Sequence, residues 1–198
     1  MNRDDATPAP DDLARTLSKA AKRGEKGPPP VHLWNPPFCG DLDIRIARNG
    51  QWFYLGSPIG RLPLVKLFAS VIRKDGDKYF LVTPVEKIGI TVEDAPFVAV
   101  DFTVAGAGAD QTLTFHTNVG DDAEAGPDHP IRVARAETTG EPSPYVLIRR
   151  NLEALIDRKS YYRLVEAGTV ETVDGARMFG VWSGGAFFPF CPASELGL

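Results

Sequence analysis

An Asn-Gly pair at positions 49 and 50 constrains the fold of this chain more than any other feature of its sequence. Asn-Gly between two alternating segments is the strongest short-range signal for a β-hairpin. Apolar and polar residues alternate from Leu42 to Ala47, and a second β-prone segment runs from Trp52 to Leu55. The sequence therefore predicts a hairpin with a two-residue turn over residues 42–55.

The length of this turn determines which face of the hairpin each side chain occupies, because a shift of one residue reverses the faces. A two-residue turn predicts that Arg45 lies opposite Tyr54. The core face then carries Leu42, Ile44, Ile46, Phe53 and Leu55. The other face carries charged and aromatic residues together, which favours a surface covered by another element or by a ligand; these residues are Asp43, Arg45, Trp52 and Tyr54.

Further strands and two main helices predict an α+β fold. Apolar residues at helical spacing follow Pro63, and Asn151 is a suitable cap for a second helix that ends before Gly168. Similar strand–helix–strand segments beginning near Trp52 and Tyr145 predict two small, structurally repeated domains. We expect a flexible N-terminal extension with a short helix over residues 1–30, an N-terminal domain over 31–104 and a C-terminal domain over 105–198.

Composition excludes several classes of protein. The 198 residues include 22 Lys and Arg against 26 Asp and Glu, a net charge of −4, which argues against binding to duplex nucleic acid. No run of about 18 apolar residues is present, and the N-terminus lacks the apolar core of a signal peptide, so we expect a cytoplasmic protein that does not cross a membrane. Two cysteines and three histidines show no spacing typical of metal ligands, and no cofactor is predicted.

The segment from Gly56 to Arg61 is the first candidate binding element. It leads from a strand into a helix, where backbone amides favour anions, and Ser57 and Arg61 add side-chain donors. Arg45 and Tyr54, if neighbours, would stack on a base or hold a phosphate. The structural alternatives are a tight turn for the segment and an intra-sheet pair for Arg45 and Tyr54.

Other candidate residues are single polar side chains near strand ends. Glu93 and Asp94 are possible acceptors for a ribose or a metal, or else caps of the turn before Pro96. His116 lies on a polar strand face, where an ordinary surface histidine is the alternative. The ligand-binding residues that we predict are Arg45, Trp52, Tyr54, Ser57, Arg61, Lys87, Glu93, Asp94 and His116.

Two long motifs, over residues 40–61 and 79–97, resemble an uncharacterised bacterial family, domain of unknown function 1285. They read GDLDIRIARNGQWFYLGSPIGR and YFLVTPVEKIGITVEDAPF. The resemblance covers the chain from about Trp34 onward. It implies a repeated two-domain core and a C-terminal domain loosely like a pleckstrin-homology barrel. It also implies a nucleotide-like ligand between the domains, in signalling, but it identifies no catalytic residues.

Three functions are consistent with these features. The first is a non-catalytic protein of bacterial signal transduction that binds a nucleotide-like anion at the domain interface, contacted by Arg45, Tyr54, Ser57 and Arg61. The second is a module that binds another protein. The third is an enzyme with acid–base chemistry near Glu86, Glu93, Asp94 or His116, which is less favoured because the sequence shows no nucleophile–base or metal pattern.

Overall fold

The computed structural model describes residues 29–198 of the chain. Its contacts divide the chain into two compact units, with the boundary in the sequence between Glu93 and Asp94. This boundary corrects the one predicted after residue 104, which would cut the strand Phe97–Ala105 out of the sheet to which it belongs. The short helix predicted within residues 1–30 lies outside the described residues, which begin at Pro29.

From Pro29 onward, the N-terminal unit consists of one six-stranded sheet and one α-helix. The sheet order is β3-β2-β1-β6-β5-β4, and β1 and β6 are its parallel pair. Its strands are β1 (Phe38–Ile46), β2 (Trp52–Tyr54), β3 (Ser57–Pro58), β4 (Ile72–Asp75), β5 (Lys78–Val82) and β6 (Lys87–Val92). The helix α1 (Leu62–Ser70) connects β3 to β4. Pro63 suits its first turn, and its buried residues are Leu64, Val65, Phe68 and Ala69.

The predicted register of the first hairpin is wrong by one residue. Its loop has three residues: the Ala47 N–H donates to the Gln51 carbonyl over 2.9 Å, and Gly50 adopts a left-handed φ of 82°. Ile46 therefore pairs with Trp52. The core face consists of Ile44, Ile46, Trp52 and Tyr54, while Phe53 is half-buried and Leu55 is 55% exposed. The extra loop residue reverses the face of every residue on β2.

The C-terminal unit contains nine strands in two sheets. The larger sheet has the order β10-β11-β12-β7-β8-β9, and β7 and β12 are its parallel pair. Its strands are β7 (Phe97–Ala105), β8 (Thr112–Thr117), β9 (Asp122–Glu124), β10 (Ile131–Arg135), β11 (Pro142–Arg149) and β12 (Leu152–Ile156). The smaller sheet consists of β13 (Thr169–Val173), β14 (Ala176–Ser183) and β15 (Ala186–Pro192).

The helix of this unit, α2 (Arg158–Glu166), begins later than predicted. Residues 152–156 form β12 instead, because their alternating burial suits a strand between β11 and β7. Asp157 caps α2 by accepting the Ser160 N–H over 2.7 Å. Neither helix of the described residues is long and apolar enough to span a membrane.

Both six-stranded sheets have the same topology. When the strands of each sheet are numbered one to six in chain order, both orders read 3-2-1-6-5-4, with the first and sixth strands parallel. The predicted strand–helix–strand repeat paired the wrong segments, because the helix follows the third strand in one unit and the sixth in the other. The chain is thus a two-domain, mostly-β protein with one α-helix per domain among the described residues.

Buried polar groups join the two sheets of the C-terminal unit. The Ser183 hydroxyl accepts the Leu113 N–H over 2.9 Å and donates to the Ala125 carbonyl over 2.7 Å. The Gln111 side-chain amide donates to the Trp182 carbonyl over 2.7 Å. Because Ser183 is fully buried, its hydroxyl has a structural role here.

Candidate functional site

Three of the predicted residues meet at one pocket of the N-terminal unit. Tyr54, Ser57 and Arg61 line a cavity of about 310 Å³, together with Pro58, Ile59, Gly60 and Leu64. The pocket lies where the β2–β3 hairpin leads into α1. Its volume is in the range of small-molecule sites.

Local backbone geometry positions these side chains. Tyr54 pairs with Ser57 across a two-residue turn in which Leu55 and Gly56 both have positive φ, 46° and 74°. The Ile59 N–H donates to the Trp52 carbonyl over 2.8 Å, which holds the chain against β2 before it reaches α1. Ser57 and Arg61, which the sequence placed on one segment leading into a helix, both line this pocket.

Polar groups of three types line this pocket. Tyr54 is 8% exposed, and burial, together with the nearby charge of Asp43, raises the pKa of its phenol above the ordinary value. The phenol is therefore neutral near pH 7 and keeps its proton. Ser57 and Arg61 are exposed and add a hydroxyl and a guanidinium.

Positions 63–65, in the first turn of α1, add no free backbone amides to the donors of the pocket. Pro63 has no N–H, and the Arg61 carbonyl accepts the N–H groups of Leu64 and Val65 over 3.0 and 3.1 Å. Pro58, Ile59 and Leu64 make the rest of the lining apolar. The pocket is thus suited to an anionic group joined to an apolar one.

Arg45 does not belong to this pocket. It pairs with Phe53 and lies on the face of the hairpin opposite Tyr54, which corrects the predicted contact between Arg45 and Tyr54. Its guanidinium carbon lies 4.2 Å from the centroid of the Phe53 ring, and it forms an ion pair with Glu93. Hydrogen bonds from the Arg48 N–H, over 2.9 Å, and from Arg45 lower the pKa of Glu93.

Trp52 is a core residue, although it was predicted to lie on the ligand-binding face. It is 1% exposed and packs against Phe68, with 6.1 Å between ring centroids. Lys87, also a predicted ligand residue, binds Asp75 over 2.7 Å, and its ammonium lies 4.0 Å from the Phe80 ring centroid. Neither lines the pocket of Tyr54, Ser57 and Arg61.

Asp94 and His116 belong to the C-terminal unit and have partners there. The Tyr145 hydroxyl donates to Asp94 over 2.7 Å, and the Arg132 guanidinium lies 4.3 Å from the Tyr145 ring centroid. The His116 Nδ1 lies 2.8 Å from a carboxylate oxygen of Asp122. Within residues 29–198, no three His, Cys, Asp or Glu side chains are grouped so that they would hold a metal ion.

Sequence reasoning missed two features of the N-terminal unit. The apolar wall of the pocket includes Leu64, which was assigned only to the buried face of α1. Gly89 lines a second cleft of this unit. The sequence feature that could have indicated this cleft is the glycine itself, which lies between the strand residues Ile88 and Ile90.

Comparisons with known proteins agree with the division into two units. Residues 29–95 match the N-terminal domain of DUF1285, described as a domain of unknown function, and residues 96–190 match its C-terminal domain, described as a protein of unknown function. No curated protein matches the chain.

Two solved structures resemble this chain. A DUF1285 family protein from Silicibacter pomeroyi DSS-3 is 53% identical, with a TM-score of 0.87 over 98% of this chain and 100% of that one. Another, from Shewanella baltica OS155, is 32% identical, with a TM-score of 0.50 over 63% of this chain and 91% of that one. The two domain matches and these structures show that the chain belongs to the DUF1285 family.

Proposed function

We propose that this protein is a non-catalytic ligand-binding protein and that its N-terminal unit binds a nucleotide-like or other small organic anion. The observation that carries the proposal is the meeting of Tyr54, Ser57 and Arg61 at one pocket of about 310 Å³. The role that we assign to this binding is sensing in bacterial signal transduction, as the family resemblance implies.

The chemistry of the pocket supports an anion of low charge. Arg61 is its one charged lining residue, and the neutral phenol of Tyr54 and the hydroxyl of Ser57 add hydrogen-bonding groups. Tyr54 is too deeply buried to present a ring face for stacking. A ligand would therefore place its anionic group at Arg61 and its less polar part against Pro58, Ile59 and Leu64.

Calorimetric titration of the full chain with a panel of nucleotides and small organic phosphates tests this proposal. Arg61→Ala removes a charge-assisted hydrogen bond and should weaken binding by roughly 10- to 150-fold. Arg45→Ala is the matched control, because it removes the same charge from the opposite face of the same unit and should leave affinity within about twofold.

Two results would contradict the proposal. If no member of the panel binds the wild-type chain, the ligand class is wrong. If Arg61→Ala binds as tightly as the wild type, the ligand binds elsewhere. If Arg45→Ala alone loses binding, the ligand binds at the hairpin face that carries Arg45 instead of at this pocket.

A further inference from the structure

We infer that the N-terminal unit has a second binding site, for an organic ammonium group, in a cleft of about 350 Å³ beside β1, β5 and β6. This cleft shares no lining residue with the anion pocket. The inference is therefore independent of the proposed function.

A mismatch between the two parallel strands opens this cleft. β1 advances seven residues from Phe38 to Arg45, while β6 advances only four from Lys87 to Thr91. The surplus residues interrupt the regular pairing of β1 with β6, as an extra residue does in a β-bulge. The cleft lies along this irregular pairing, where Asp41 is opposite Gly89.

Gly89 allows the Asp41 carboxylate to lie directly over the sheet. A Cβ atom on Gly89 would lie only 1.9 Å from Asp41 Oδ1, so a residue with any side chain would displace the carboxylate. Gly89 and Asp41 both line the cleft. The glycine thus leaves room for a carboxylate at the cleft surface.

The charge of the Asp41 carboxylate is not balanced by the chain in the part that the structure describes. No hydrogen bond or ion pair within residues 29–198 engages it, whereas Asp75 and Glu93 in the same unit are each paired with a basic side chain. Asp77 also lines the cleft, and Lys78 is its one basic residue, so the lining has a net charge of −1. A cationic ligand group is the complement of this surface.

The other lining residues favour an organic cation over a metal ion. Tyr79 and Phe80 line the cleft, and each ring already attracts a lysine of the chain. The Nζ atoms of Lys74 and Lys87 lie 5.3 and 4.0 Å from these ring centroids, respectively. Aromatic rings attract ammonium groups in this way, whereas Ca²⁺ requires six to eight oxygen ligands.

Titration of the isotopically labelled full chain with butylammonium chloride, followed by amide NMR, tests the inference. Sodium chloride at equal ionic strength is the reference. We expect saturable shifts of the Gly89 and Thr91 amides with butylammonium only. Asp41→Asn keeps the shape and removes the charge, and it should weaken the binding at least tenfold, as loss of a charge-assisted hydrogen bond does.

Two further variants identify the cause of any loss. Gly89→Ala keeps the charge but displaces the carboxylate, and it should also weaken binding at least tenfold. Asp43→Asn removes a charge from the same strand outside the cleft and should bind as the wild type does. Thermal unfolding checks that each variant is folded. If Gly89→Ala does not fold, the comparison of Asp41→Asn with Asp43→Asn shows whether the Asp41 charge is required for binding.

The inference is overturned if the shifts do not saturate, or if sodium chloride causes the same shifts. It is also overturned if Asp41→Asn and Asp43→Asn respond equally to butylammonium. Arg61→Ala should leave this titration unchanged, so a failure of the proposed anion pocket is distinguishable from a failure of this site.

Discussion

At the scale of single residues, two fully buried serines of the C-terminal unit differ in how their hydroxyls are satisfied. The Ser183 hydroxyl bonds the backbone of Leu113 and of Ala125. The Ser160 hydroxyl has no partner among the described residues, although the Ser160 N–H is bound by Asp157. Burial alone therefore does not predict the effect of replacing either residue.

We predict opposite outcomes for the two alanine variants. Ser183→Ala leaves a backbone N–H and a carbonyl buried without this partner and should lower the free energy of unfolding by about 1–3 kcal/mol. Ser160→Ala removes an unsatisfied buried hydroxyl and should be neutral or slightly stabilising. Urea denaturation of the two variants measures the difference, and equal destabilisation by both would contradict it.

Sequence reasoning brought Ser57 and Arg61 together without needing the strand register, but it grouped them with Lys87, Asp94 and His116, which lie elsewhere. Ser57 and Arg61 are neighbours in sequence at the start of a helix, so their meeting needed no knowledge of pairing. The pairing of Arg45 with Tyr54 depended on one loop length and was wrong. Asp41 and Gly89 are distant in sequence, and nothing in either segment alone predicts that they meet.

At the scale of elements, the Asn-Gly pair predicted the turn but not its length. Asn-Gly suits a two-residue type I′ turn, but a three-residue loop also takes glycine at its left-handed position. Gly50 occupies that position here, with a φ of 82°. A burial argument would have favoured the observed register, because it buries Trp52 and Tyr54 in the core without the need for a ligand or another element over the opposite face.

The turn between β2 and β3 has an unusual first residue. Leu55 is 55% exposed and has a φ of 46°, a conformation that costs a leucine about 1–2 kcal/mol and that asparagine tolerates better. We predict that Leu55→Asn raises the free energy of unfolding by up to about 1 kcal/mol. The turn at Asp174 and Gly175 has a similar backbone and already begins with a suitable residue.

Asp174→Asn is therefore the matched control for this turn, and its melting temperature should change little. Differential scanning calorimetry of both variants provides the comparison. A lower melting temperature for Leu55→Asn would show that contacts of the leucine side chain outweigh the relief of backbone strain.

At the scale of the whole molecule, the sequence predicted two α+β domains, and the structure shows a mostly-β form of that class. The parallel pairs β1–β6 and β7–β12 join the first and last strands of each sheet. No local pattern encodes such pairing, which long-range packing determines. Residues 152–156 show the limit of local prediction. Their apolar residues fit both helical spacing and strand alternation, and only the pairing with β11 and β7 determines that they form β12.

Acid stability is a property of both units, because each has carboxylates with a lowered pKa. Burial alone would raise the pKa of Asp75, but hydrogen bonds from Arg73 and Lys87 outweigh it. The pKa of Asp101 is lowered by the Phe102 N–H and by Arg163. The pKa of Glu93, in the N-terminal unit, is lowered in the same way by the Arg48 N–H and by Arg45.

We predict that the chain loses stability as the pH falls below about 4, the ordinary range of carboxyl pKa values. Each of these groups has a lower pKa in the folded chain than in the unfolded chain, so the unfolded chain binds more protons in acid. Their contribution is complete above the unfolded pKa and is lost as the pH falls through the folded pKa. Urea midpoints between pH 7 and pH 2.5, at constant ionic strength, should fall in that window.

Glu93→Gln should flatten this pH dependence, because glutamine has no charge to lose. Glu137→Gln removes an equal charge from an exposed residue with no ion pair among residues 29–198, so its profile should follow the wild type. Parallel profiles for Glu93→Gln and the wild type would show that the contacts of Glu93 with Arg45 and Arg48 contribute nothing to acid stability.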